Sequence, residues 1–229
     1  MRRISFLLML VFLPFVFVSA QTSAGNTDRA AAYTQAINSR AEKIVSTLGL
    51  DNSAKAERVK SIVANQYRAL NVIQEKRDAE IKAAKASAGD NKDALKVQVK
   101  GYEDAASAEV DKLHAKYVSD LSKELTAAQI DKVKDGMTYN VTPITYTGYL
   151  AMIPTLTDKQ KEQIMTWLVE AREHAIDAES SEKKHAWFGK YKGRINNYLS
   201  AQGIDMKKAG DEWQERIKAS KAAKTVPAE

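Results

Sequence analysis

Between Pro14 and Pro143 the chain has no proline. Over that stretch apolar residues return every three or four positions in a background rich in Ala, Lys, Glu, Leu and Gln. Helix is the structure such a sequence supports, because good helix formers run uninterrupted and the apolar spacing matches one face of a 3.6-residue period. Tyr33, Ile37, Ala41, Ile44 and Leu48 trace the first stripe, from about Thr27 until Gly49 stops it. Val59, Ile62, Val63, Gln66, Leu70 and Ile73 trace a second, capped near Asp51 to Ser53 and running to about Ser87. The run Ser87-Ala88-Gly89-Asp90-Asn91 is turn chemistry.

After that turn, Leu95, Ala106 and Tyr117, and again Val99, Val110 and Leu121, recur at eleven residues. Eleven residues over three turns lies close to the natural helical period, so the two helices should form a long, nearly straight antiparallel hairpin. Its alanine-rich seam is thin, which points to a hairpin that projects or pairs with a second copy as a homodimer. Helices are expected again over Thr157 to Ala178, Ser181 to Gln202 and Asp205 to about Ala219, and the segment Met137 to Gly148 reads as an extended or looped connector. The aromatics Tyr139, Tyr146, Tyr149, Trp167, Trp187, Phe188, Tyr191, Tyr198 and Trp213 place the main core in this second half. The expected fold is all-α: a helical hairpin region over residues 21–125, packed on an aromatic-rich helical body over 126–219, with a frayed tail over 220–229.

Leu125-Thr126-Ala127-Ala128-Gln129 and Leu156-Thr157-Asp158-Lys159-Gln160 share one pattern, Leu-Thr-x-x-Gln. Its physics is helix entry: Thr caps the first turn, Gln three residues on reaches back to the cap, and Leu staples the turn.

Residues 1–20 have the layout of a secretory signal. Arg2 and Arg3 precede an apolar run from Ile4 to Val18, and Val18-Ser19-Ala20 offers small residues for a cut after Ala20. The run is about 15 residues, short of the ~20 needed to cross a bilayer as a helix. The expected location is periplasmic or extracellular, with no membrane attachment after cleavage. With no cysteine in the chain, neither a lipid anchor on cysteine nor a disulfide is available. The net charge of +6 includes Arg2 and Arg3, and the remainder is spread along helical faces. That distribution argues against a nucleic-acid partner.

No phosphate loop, nucleophile elbow or zinc-protease helix motif is present, so whether the chain is an enzyme stays open. Glu170 and His174 stand one turn apart, but no second ligand pair accompanies them, and neither a metal nor a cofactor is expected. The densest constellation is His185 to Leu199. On a helix Phe188, Tyr191, Ile195, Tyr198 and Leu199 fall on a buried face, and Trp187, Lys190, Arg194 and Asn197 on an adjacent one. An indole beside cationic and amide donors suits a sugar ring, whose C–H face stacks on the aromatic while planar polar groups take the hydroxyls. Alternatively, Trp187 anchors the core and Arg194 pairs with an acid such as Glu182 or Glu212. Gly189 and Gly193, each costing about 1 kcal/mol against alanine inside a helix, suggest close approach by a backbone or ligand. Tyr139, Asn140 and Tyr146 of the connector either complete this site or cover the core.

Asp-Gly-Met-Thr-Tyr-Asn at 135–140, Trp-Leu-Val-Glu-Ala-Arg-Glu at 167–173 and the run His185 to Leu199 resemble the domain-of-unknown-function family 3826. This is a family of secreted proteins of Bacteroidetes-type bacteria. The resemblance covers nearly all of the chain after residue 20 and implies a carbohydrate-related role, without assigning site residues. The paired Leu-Thr-x-x-Gln also resembles the small helical periplasmic stress chaperones of the Spy and CpxP type, although the spacing and the Trp-rich second half depart from their compact form. The leading expectation is an exported, non-catalytic carbohydrate-binding protein linked to polysaccharide use. A holdase and a glycan-active enzyme with unassigned acids are its rivals.

Overall fold

The computed structural model describes residues 20–225, which form eight helices and no strand. The expected signal segment lies outside the described residues apart from Ala20. The helices are α1 (Ala20–Ser46), α2 (Ser53–Ser87), α3 (Lys92–Ser122), α4 (Ala127–Met137), α5 (Val141–Met152), α6 (Asp158–Ile176), α7 (Ser181–Ala201) and α8 (Met206–Thr225). The fold is all-α, as the proline-free periodicity requires. The chain divides into two compact units, Met1–Ile37 and Asn38–Glu229. Of the first, the described part is the opening of α1. The second holds all that follows, so residues 38–125 and 126–219 share one unit.

Local chemistry sets the boundaries. Asn52 and Asn91 cap α2 and α3 by accepting from the backbone N–H three residues on. Both Leu-Thr-x-x-Gln motifs form complete capping boxes, Thr126 with Gln129 and Thr157 with Gln160. Gln129 Nε2 also donates to the Leu48 carbonyl, tying α4 to the end of α1. α2 and α3 run antiparallel, with Arg58 meeting Glu124 at 2.7 Å and Lys76 meeting Glu109 at 2.7 Å.

Three expectations are corrected. The segment after Met137 is not an extended connector: α4 turns through Thr138–Asn140 directly into α5. Pro143 stands third in α5, where the missing N–H belongs to the first turn and breaks no helical bond. Likewise α8 runs to Thr225, beyond the expected end near Ala219. The third correction concerns glycine. A Cβ at Gly189 or Gly193 meets nothing within 4 Å, whereas one at Gly136 stands 2.8 Å from Ile44 Cγ1. Among the protein's own elements, close approach is therefore made where α4 meets the end of α1.

Ile44 is buried, which leaves its side chain little room to give way. Gly136→Val is accordingly expected to destabilise the protein by about 2 kcal/mol, since overpacking outweighs the helix-propensity gain. Urea unfolding of that variant, with and without Ile44→Ala, checks this: the second change should recover part of the lost midpoint.

In the second half Tyr149, Ile153, Leu156, Ile164, Leu168, Ala171, Ala175, Phe188, Tyr191, Ile195 and Leu199 form a buried core, with Trp167, Trp187, Tyr146 and Tyr198 packed at its edges. Along α3 only Tyr117 and Leu121 are buried; Leu95, Val99, Ala106 and Val110 on the same stripe are half-buried. Toward its turn the hairpin lacks a third layer, and there a groove opens.

Candidate functional site

The groove has a volume of about 800 Å³ and lies between the hairpin and the α6–α7 pair. This is within the usual range of small-ligand pockets, about 300–1,000 Å³. α2 contributes Ile73 and Arg77, α3 the face from Glu103 to His114, α6 Glu173 and His174 with Asp177 at its C-cap, and α7 Trp187 and Lys190. Small residues keep it open: Ala106 and Ser107 on one wall, Ala178 and Ala186 on the other.

The α6–α7 wall carries the aromatics. His174 stacks on Trp187 with ring centroids 4.4 Å apart and planes 16° from parallel. Lys190 Nζ stands 5.0 Å from the Trp187 ring centroid. One helical turn on, the Arg194 guanidinium lies 4.5 Å over Trp167, which meets Tyr198 edge-on at 5.3 Å. Arg194 also faces Glu170 at 3.6 Å, rather than Glu182 or Glu212. Trp187 is half-buried, so it both edges the core and lines the groove.

At the floor, His114 Nδ1 lies 2.6 Å from Asp177 Oδ2, and its Nε2 is 3.6 Å from Glu173 Oε2. The other Asp177 oxygen accepts from the buried Gln66 amide at 3.2 Å. Glu173 accepts in addition from Lys134. A carboxylate held from behind thus fixes the imidazole and leaves Nε2 as the nitrogen toward Glu173. The hydrogen bond that His114 donates to Asp177, and the charges of Asp177 and Glu173, raise the His114 pKa against the opposing effects of burial and Lys134.

A raised histidine pKa stabilises the fold fully below the unfolded value near 6.5, and this is lost as pH rises through the folded value. Stability of the wild type is therefore expected to fall over that window, and His114→Gln to flatten the fall. Chemical denaturation at a series of pH values below about 7 reads this. The limit keeps the test clear of Lys184, whose pKa burial pushes down to about 8. Lys184 is itself buried and donates to the carbonyls of Ala175 and Ile176, closing the C-terminus of α6.

The structure distributes the sequence-derived site residues over two faces. Trp187 and Lys190 line the groove, and Arg194 continues their face along α7. Asn197 lies exposed further along the same helix, and Tyr146 is half-buried at the edge of the core. Tyr139 instead stacks on His185, with centroids 5.5 Å apart and planes 13° from parallel. His185 and Trp187, two residues apart, point roughly 200° apart around α7. Asn140 follows Tyr139 at the start of α5, with its carboxamide making no capping bond. Glu170 and His174 are engaged separately, by Arg194 and Trp187, and among the described residues no three metal-ligating side chains gather.

Sequence reasoning missed His114, Glu173 and Asp177. The available signal was a histidine beside the α3 stripe, one turn after Val110 and three residues before Tyr117.

Compared with known proteins, residues 34–219 match the model of the family described as "Protein of unknown function (DUF3826)". The chain belongs to that family. No curated protein matches it.

Proposed function

We propose that the protein is an exported, non-catalytic helical protein that binds carbohydrate in the groove between its hairpin and the α6–α7 pair, in the service of polysaccharide use. One observation carries this reading. A groove of about 800 Å³ sets an indole–imidazole stack and a lysine on one wall against carboxylates and a hydroxyl, from Glu103, Asp111 and Ser107, on the other. Sugars present apolar C–H faces and vicinal hydroxyls, and a wall of each kind meets both. The export part of the reading rests on residues 1–20 of the sequence.

The test is a glycan-array screen of the protein after removal of residues 1–20. Selective binding supports the reading. Absence of binding to every glycan, together with suppression of aggregation of a reduced client protein, would replace it with the holdase.

A second reading has one observation in its favour. The imidazole that Gln66 and Asp177 hold in place is the arrangement in which general acid–base groups are commonly found. It would make the groove a site of turnover on a bound glycan. Appearance of reducing ends or of a free acyl group from an array hit, abolished by His114→Gln, would establish it.

A further inference from the structure

Tyr139 occupies a backbone position that tyrosine rarely takes. It has φ 59°, and Asn140 after it has φ 56°, so two successive non-glycine residues are left-handed. Asn140 N–H donates to the Asp135 carbonyl at 2.8 Å, which closes α4 by the bond that usually places glycine at the position Tyr139 holds. For asparagine this conformation is ordinary, but for a bulky aromatic it is strained. A helix end selected only for stability would have glycine there.

The strain is matched by what it presents. The Tyr139 side chain remains 46% exposed and lies parallel on the ring of His185, itself exposed. The Asn140 carboxamide has no partner among the described residues. A planar aromatic pair followed in the chain by an amide without a capping bond combines the same kinds of group as the groove, built from different elements on the other side of α7.

We infer that Tyr139, Asn140 and His185 form a second carbohydrate subsite, for a neutral pyranose ring that stacks on Tyr139 and hydrogen-bonds to the Asn140 amide. The inference rests on the carbohydrate reading of the protein but not on the groove. With two subsites on opposite sides of one helix, a single chain engages a polysaccharide at two places or bridges two strands, and its retention by polymer exceeds its affinity for a short oligosaccharide.

Affinity electrophoresis through gels containing starch, xylan, mannan or pectin tests this with the wild type, Tyr139→Gly, Trp187→Ala and the double variant. Each single change is expected to weaken retardation about tenfold, and the double change to weaken it about a hundredfold or more. Tyr139→Gly should melt at or above the wild-type temperature, because glycine relieves the left-handed strain. A Tyr139→Gly protein retarded like the wild type, while Trp187→Ala is not retarded, overturns the second subsite and leaves the groove standing. Loss with Tyr139→Gly alone keeps the subsite and removes the groove. Wild type unretarded in every gel removes both. A Tyr139→Gly protein that melts well below the wild type assigns the ring a structural role and overturns the inference.

Discussion

Arg172→Met is expected to unfold with about 3 kcal/mol less stability than the wild type, a fall of roughly 6–12 °C in melting temperature for a chain of this size. The Arg172 side chain is only 4% exposed. It donates to Asp135 at 2.9 Å and to Asp131, joining α6 to α4. Its Nε makes no hydrogen bond, and Glu173 Oε1 stands 3.7 Å away. The guanidinium is thus held by carboxylates on one side and is under-satisfied on the other.

Removing the cation strands Asp135, whose pKa burial already raises despite the arginine. Asp131 loses less, because it is mostly exposed and returns to water. Buried ion pairs are costly to break by half yet cheap to replace whole. The double change Arg172→Met with Asp135→Leu should therefore recover most of the lost stability. Thermal melts of the three proteins check this, and a double variant as unstable as Arg172→Met would show that the cost lies in lost packing instead.

That arginine illustrates what the sequence did and did not disclose. Arg172 stands in a run, Glu170 to His174, that reads as a solvated helical face; only the packing of α6 against α4 buries it. The helices themselves were legible because their signals are local. Stripe spacing, the two capping boxes, Gly49 and the turn after Ser87 each act within a few residues. Where a local signal was ambiguous the reading failed: Thr, Tyr, Val and Ile between 138 and 147 suggested extended chain, but α5 packs against α4, α6 and α8, and tertiary burial overrode propensity.

The site divides along the same line. Trp187, Lys190 and Arg194 were legible as one face because they share one helix. Their separation from Tyr139, which stacks on His185, and the company of His114 and Asp177, 63 positions apart, depend on long-range contacts, which no spacing reports. The glycines show the limit most clearly. Gly189 and Gly193 stood out inside a strong helix and are open to the rest of the protein, whereas Gly136, beside a helix end where glycine is unremarkable, is the one among the described residues that a neighbour crowds.

Carbohydrate binding in the groove, as proposed, turns on Trp187. The indole edges the core but is not enclosed by it, so Trp187→Ala is expected to fold with a modest loss of stability. It is also expected to lose the stacking surface, worth about 2 kcal/mol or roughly thirtyfold in affinity. His174 supports the ring from one side, at 4.4 Å, so His174→Ala should cause a smaller loss in the same direction. The most direct test is titration calorimetry of the strongest array glycan against the wild type and Trp187→Ala, with circular dichroism to confirm that both are folded. The account predicts binding by the wild type and a loss of about thirtyfold or more in the variant. A folded Trp187→Ala protein that binds the same glycan as tightly as the wild type would contradict it.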